Sequence, residues 1–279
     1  MRNRTRAGFL LVASAVALLS GCGEEPDQAQ ETNGFPQAAA DYFADMDGGV
    51  ELNEEETKGR NTWVIWTAGN DAYWDYVSRY SFGSTDLLKT LDSRYRDRRF
   101  NYYGLINEPG FKQATGPDEF GLWLDEPDGT QDPFYAAAAY EEMFPREQFV
   151  QVYGRASGIV GLRLFPNPAF DDEARKRWDA QRYYNDPKYY RDPDLVRPYR
   201  VGMSCGFCHV GPHPTSPPAD PEKPQWKNLS TNIGSQYFWT NRIFTFDQKE
   251  DSFIYQLLST SVPGALDTSF FATDNINNP

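Results

Sequence analysis

The stretch VGMSCGFCHVGPHP, residues 201–214, holds two of the chain's three cysteines and both of its histidines. Within it Cys205-Gly206-Phe207-Cys208-His209 has the spacing C-x-x-C-H. Two thiols so placed can add to the two vinyl groups on one edge of a porphyrin, which fixes the macrocycle beside the following residue. His209 is then held under the iron as its proximal ligand. The spacing predicts one covalently attached haem c on Cys205, Cys208 and His209. Three other chemistries use the same residue types. A thioredoxin-like dithiol needs a helix running on past the second cysteine to lower the thiolate pKa, and Gly211, Pro212, Pro214, Pro217 and Pro218 interrupt that stretch. Zinc held by Cys205, Cys208, His213 and a carboxylate lacks the second Cys or His pair of a structural site. A plain disulfide between the two cysteines is the third.

The sixth iron position separates a carrier from a reactive haem. A thioether or imidazole there gives a low-spin electron carrier, and an open position admits oxygen or peroxide. His213 follows His209 too closely, in a Pro-rich loop, to reach the opposite haem face, and its expected partner is the loop backbone or a propionate. Met203 meets the same difficulty. Met143, in YEEMFP, and Met46, in ADMDGG, lie far enough away in sequence to approach from above, although ordinary packing uses methionine equally well.

The third cysteine closes the segment MRNRTRAGFLLVASAVALLSGC. Arginines 2, 4 and 6, an apolar run from Ala7 to Leu19 and a small-residue end read as an export signal, too short for a comfortable membrane span. Leu19-Ser20-Gly21-Cys22 resembles the lipobox of bacterial lipoproteins. That resemblance implies cleavage before Cys22 and acyl chains on its sulfur and amine, enough for stable anchoring. Gly23 in place of the aspartate usual for inner-membrane retention points, by the same analogy, to the outer membrane facing the periplasm. The cysteines are then accounted for: one for lipid and two for haem.

Residues 1–21 thus read as signal and 22–40 as a flexible acidic tether, polar and without periodicity. Residues 41–279 are expected to form a cytochrome-c-like haem domain, large enough for a real core. The formal charge is −13, and −16 once the three signal arginines are removed. That balance disfavours a phosphate-backbone partner, so no nucleic acid is expected; it would suit a basic redox partner in the periplasm, although charge of this size is more commonly a solubility device. Twenty prolines and 22 glycines cut the chain into short segments. The predicted class is mainly α: short helices and long irregular connections around a large buried cofactor. Helices are expected over AAADYFADMDGG, over AYWDYVSRY behind Asp71 with Tyr73, Trp74, Val77 and Tyr80 on one side, over DLLKTLDSRY behind Ser84 or Thr85, and over DDEARKRWDAQRYY. NTWVIWTAG alternates like a strand, with no evident partner. Asp45, Asp47 and Glu56 have calcium-loop spacing, but Val50 stands where such a loop needs glycine, so a solvated acidic loop is expected. Seven tryptophans, 17 tyrosines and 19 phenylalanines are expected to form core and haem wall; a sugar-binding groove is the alternative use.

Several stretches resemble a family of large exported bacterial c-type cytochromes, distant relatives of dihaem cytochrome c peroxidases and haem-containing rubber oxygenases. They are MDGGVELNEEETKGRNTWVIWTAGNDAYWD, YYGLINEP, GIVGLRLFPNPAFDDEA, LVRPYRVGMSCGFCHVGP, PPADPEKPQWKNLSTNIGSQYFW and ATDNINNP. The resemblance implies thioethers on Cys205 and Cys208 and a proximal bond from His209. Such relatives continue into a second half with its own haem motif. This chain has one motif and ends on Asn277-Asn278-Pro279, a turn signal, so the domain is expected to be incomplete at its C-terminus. The reading is a membrane-anchored periplasmic electron carrier with one haem; the alternative is a haem peroxidase or oxygenase, or its haem-bearing fragment, with an open distal position.

Overall fold

The element on which the motif leans begins at Asn53. In the computed structural model, which describes residues 41–81, 85–129, 146–231, 237, 239–246 and 248–260, helix α1 spans Glu54–Ile65. The Asn53 side chain accepts from the Glu56 backbone N–H at 3.0 Å, and Glu56 accepts in return from the Asn53 N–H at 2.9 Å. This reciprocal cap satisfies two N–H groups that a helix start leaves without partners, and Glu54, Glu55 and Glu56 suit the positive end of its dipole. Thr57, Arg60, Asn61, Val64 and Ile65 are buried, the spacing of one helical face. The alternation in NTWVIWTAG therefore does not make a strand; its first half is the end of a capped helix. The acids with calcium-loop spacing take separate structural duties. Asp47 accepts from the Ser230 hydroxyl at 2.8 Å and from the Thr231 N–H and hydroxyl at 2.7 Å each, while Glu56 is in the cap. Met46–Gly48 is one 3-10 turn where a short helix was expected.

Helix α2, Asp71–Tyr80, forms as its sequence predicts, with its start at Asn70. Trp74, Asp75 and Ser78 are its buried residues, whereas Tyr73 and Tyr80 are 44% and 55% exposed, so the inward face is not the one expected. DLLKTLDSRY gives a four-residue helix α3, Leu87–Thr90, capped by Asp86 rather than Ser84 or Thr85. A 3-10 turn follows at Ser93–Arg98, and α4 is Arg99–Tyr103. DDEARKRWDAQRYY breaks at Trp178, whose extended backbone (ψ 130°) lets its indole donate to the Phe120 carbonyl at 2.7 Å. Asp179 then caps a second helix, which leaves α6, Asp172–Arg177, and α7, Ala180–Asn185. The remaining helices before the motif are α5, Arg146–Tyr153, and α8, Pro187–Tyr190.

The mainly α, cytochrome-c-like expectation is not met: the fold is mixed α and β. Three small antiparallel sheets are present among the described residues. Strands β1, Phe111–Lys112, and β2, Glu126–Pro127, form one. The central sheet has the order β3, Arg155–Ala156, then β4, Leu162–Pro166, then β5, Tyr199–Met203. Leu162 pairs with Met203 and Pro166 with Tyr199. These strands carry no alternation because four of the five residues of β4 are buried, Arg163 among them. Arg163 is tolerated there because Nε donates to the Tyr153 carbonyl at 2.9 Å and Nη2 to the Gly154 carbonyl at 3.0 Å. Leu162, Leu164, Val201 and Met203 join Trp74, Leu88, Leu91 and Phe207 in the larger apolar cluster. The smaller cluster holds Phe43, Met46, Val64, Ile65, Val210 and Leu229. All described residues fall within one compact unit, Pro36–Pro279, and no helix among them is long and apolar enough to cross a membrane. The signal, the tether, Cys22 and Met143 lie outside the described residues.

Candidate haem-attachment site

Strand β5 delivers the chain into the motif, and four hydrogen bonds to backbone groups hold the junction. The Asn70 side chain brackets Met203, accepting from its N–H at 2.9 Å and donating to its carbonyl at 2.7 Å. The Ser204 hydroxyl donates to the Val64 carbonyl at 2.6 Å, and the Ser204 N–H donates to the Gly161 carbonyl at 2.8 Å. Helix α1, the start of α2 and the turn before β4 are thereby tied to one residue pair.

Gly206–His209 forms a single turn, α9, in which the His209 N–H reaches the Cys205 carbonyl at 3.1 Å. Two glycines let the surrounding backbone close on this turn. A Cβ on Gly206 would lie 3.1 Å from Val64 Cα, and one on Gly161, whose φ is +80°, would lie 2.0 Å from the Phe207 nitrogen. Gly161→Ala is therefore expected to push the motif away from β4 and to lower thermal stability, read as a lower Tm; an unchanged Tm would show that the turn yields freely. Beyond α9 the chain becomes extended at Val210. Strand β6, Gly211–Pro212, then pairs with β7, Leu229–Ser230, which fixes the exit as firmly as the entry.

On this turn Cys205 is exposed, Cys208 is 3% exposed and His209 is 5% exposed. Neither thiol is in a disulfide. Burial raises the pKa of both, that of Cys208 to about 12, so both are neutral thiols near neutral pH. With both thiols free, an alkylating reagent is expected to modify Cys205 well before Cys208, which peptide mass mapping over a time course would read; equal rates would contradict the burial difference.

The indole of Trp63 on α1 packs against the His209 imidazole, ring centroids 5.4 Å apart and planes tilted by 41°. Its Nε1–H is buried and has no hydrogen-bond partner. His213 sits in the loop beyond, its Nδ1 accepting from the Thr215 backbone N–H at 3.3 Å and its backbone N–H donating to the Asn228 carbonyl at 2.7 Å. The loop backbone is the partner expected for it. Among the described residues no cluster of three or more His, Cys, Asp or Glu side chains suited to a metal forms. Met46 is fully buried in the cluster that contains Val64 and Val210, the residues next to Trp63 and His209 in the chain.

The chain matches no family model, no curated protein and no solved structure. The residue types and spacing are those that a covalently held haem would use: the two thiols and the imidazole lie on one helical turn, anchored at both ends. Trp63, Asn70, Gly161 and Ser204 were not legible from the sequence as parts of this site. Each reaches it through a contact that no local pattern encodes, although Asn53-Glu54-Glu55-Glu56 did carry the capping signal that starts α1.

Proposed function

We propose that Cys205 and Cys208 hold one haem c by two thioether bonds, that His209 is its proximal iron ligand, and that the protein carries single electrons between periplasmic partners. What carries the reading is the C-x-x-C-H turn itself: neutral, unpaired thiols and a buried imidazole on a segment anchored at both ends. Haem bound there supplies one-electron iron chemistry. The chain's own part is positional. Asn70 and Ser204 fix where the turn begins, the β6–β7 pairing fixes where it ends, and Trp63 limits how the His209 ring can rotate.

The same proposal places the mature protein on a lipid anchor at Cys22, at the outer membrane and facing the periplasm. It also relates the chain to the exported c-type cytochromes that its sequence resembles. Met46, fully buried in the cluster with Val64 and Val210, is one sixth-ligand candidate to test, and Met143 is the other. The test is expression with and without haem-ligation machinery. The mature protein is expected to gain the mass of one haem, to retain the haem in acid acetone, and to show a low-spin ferrous spectrum indifferent to carbon monoxide. Carbon monoxide binding would move the assignment to a peroxidase or oxygenase, and absence of covalent haem with the machinery active would end it.

A further inference from the structure

A half-open cleft with about 1000 Å³ of free space forms where three segments meet: residues 96–101 at the start of α4, residues 108–113 leading into β1, and the loop 220–227. A space of this size takes a small molecule or a few units of a chain. Its walls are braced by bonds that need no ligand. Glu222, itself buried, accepts from the backbone N–H groups of Phe100 and Asn101 at 2.9 Å each and from the Asn101 side-chain amide at 3.0 Å. That carboxylate ties the loop to α4. Arg96, paired with the buried Asp125, donates to the Phe111 carbonyl at 2.8 Å and to the Glu108 carbonyl at 3.3 Å, which ties the approach to α4 to β1. The cleft is therefore open before anything enters it, and a ligand that fits it orders little of the protein on binding.

The lining combines aromatic rings with polar groups of both signs. Phe111 and Trp226 are half-buried in it, and Trp226 is set nearly edge-on to Phe43 at a centroid distance of 4.9 Å. A third ring, Tyr237, is 45% exposed and lies 5.7 Å from the ring of Phe100, the residue whose N–H Glu222 binds. The exposed part of the lining includes Asp97 and Asp220, Lys223 and Lys227, and the amides Gln113 and Gln225. Asp220 and Lys223 already stand 3.6 Å apart. A ligand carrying many charges of one sign meets like charge on this wall. The lysines, with Arg96, thus weigh against a basic peptide even though the chain as a whole is acidic. A neutral polyhydroxyl ligand meets no such penalty. Each hydroxyl donates to a carboxylate or amide oxygen and accepts from an ammonium or amide N–H, and the C–H face of a pyranose ring covers the face of an aromatic one.

We propose that this cleft binds a neutral oligosaccharide, with sugar rings against Trp226 and Tyr237 and hydroxyls bonded to Asp97, Gln113 and Gln225. Binding there requires no haem and goes beyond the function proposed above, since the lining contains no residue of the motif.

The test is isothermal titration calorimetry of the mature protein with the β-1,4-linked hexamers of glucose and of N-acetylglucosamine, and with hexalysine as the basic rival. At least one hexasaccharide is expected to bind saturably, with an affinity little changed by added salt because no ion pair forms. Tyr237→Ala is expected to weaken that binding by about tenfold or more, the scale of one aromatic anchor, and Gln225→Ala by a smaller factor. Both side chains are exposed, and circular dichroism checks that the variants fold. Should Tyr237→Ala fail to fold, Gln225→Ala and Asp97→Ala decide. Absence of binding by both hexasaccharides would overturn the proposal, as would binding that the folded variants leave unchanged. Hexalysine bound in place of the saccharides would overturn it in favour of a basic peptide.

Discussion

With Cys205 and Cys208 both replaced by alanine, the protein is expected to fold and, if the proposed thioether bonds hold the haem, to carry no covalent haem. The scaffold stands independently of the sulfur atoms. The turn is placed by Asn70, Ser204, Gly161 and the β6–β7 pairing, and none of those contacts uses a sulfur atom. Cys205 is exposed and its loss leaves no cavity. Cys208 is buried in the larger apolar cluster, so truncation to alanine costs roughly 0.5–3 kcal/mol, the ordinary range for a single substitution. A domain with about 5–15 kcal/mol of stability survives that. Serine at position 208 would be a poorer control, because it places a hydroxyl in an apolar site without a partner. Haem staining after denaturing electrophoresis reads the cofactor, and circular dichroism reads the fold. Covalent haem persisting in the double variant would remove the two sulfurs from the proposal, and a variant that folds only when supplied with haem would show that the scaffold depends on the cofactor far more than these contacts indicate.

The legible and illegible parts of this protein divide by the range of the interactions that set them. The motif is legible as a spacing because it lies within five consecutive residues, and the haem it implies is the proposal made above. Helix α2 was legible in extent because its hydrophobic period and N-terminal turn are local. Its inward face was not, because what decides it is the fit of Trp74 and Ser78 against β5, a strand more than a hundred residues away in sequence. The mixed fold was missed for the same reason. LRLFP and YRVGM lack the alternation of a half-exposed strand, since both faces of β4 are covered and its one charged side chain, Arg163, is satisfied by two carbonyls near α5. The break at Trp178 is a third case: Asp179 is a good local cap, but an indole bond to Phe120 decides that the chain turns there.

The scaffold under the motif has its own weak point, and Asp125→Asn is expected to be the most destabilising conservative change in the protein. Asp125 is completely buried between the guanidinium groups of Arg96 and Arg99, with both of which it forms ion pairs, and it also accepts from the Ser93 hydroxyl at 2.6 Å. Arg99 is itself fully buried. Burial dominates the Arg96 guanidinium and pulls its pKa below the usual range even with Asp125 beside it, a sign of how poorly the site tolerates the cation alone. Removing the one carboxylate leaves two guanidinium groups facing each other. Breaking a buried pair in this way costs roughly 3–5 kcal/mol, a large share of the stability of an ordinary domain. The expected readout is a urea midpoint lowered in proportion, with m unchanged. A shift worth under about 1 kcal/mol would show that solvent or another acid compensates. The damage should also reach the motif. Arg96 donates to the Gly158 carbonyl at 3.2 Å, the Glu108 N–H donates to the same carbonyl at 2.8 Å, and the Val160 N–H donates to Ile106 at 2.9 Å. This turn runs on to Gly161, whose carbonyl holds the Ser204 N–H and whose backbone lies against Phe207. Loosening Asp125 therefore loosens the support behind Cys205 and Cys208. Faster hydrogen exchange at Ser204 and Phe207 in Asp125→Asn, with the helix Phe253–Thr260 unaffected, would show that path; uniform acceleration through the whole domain would show only a global loss of stability.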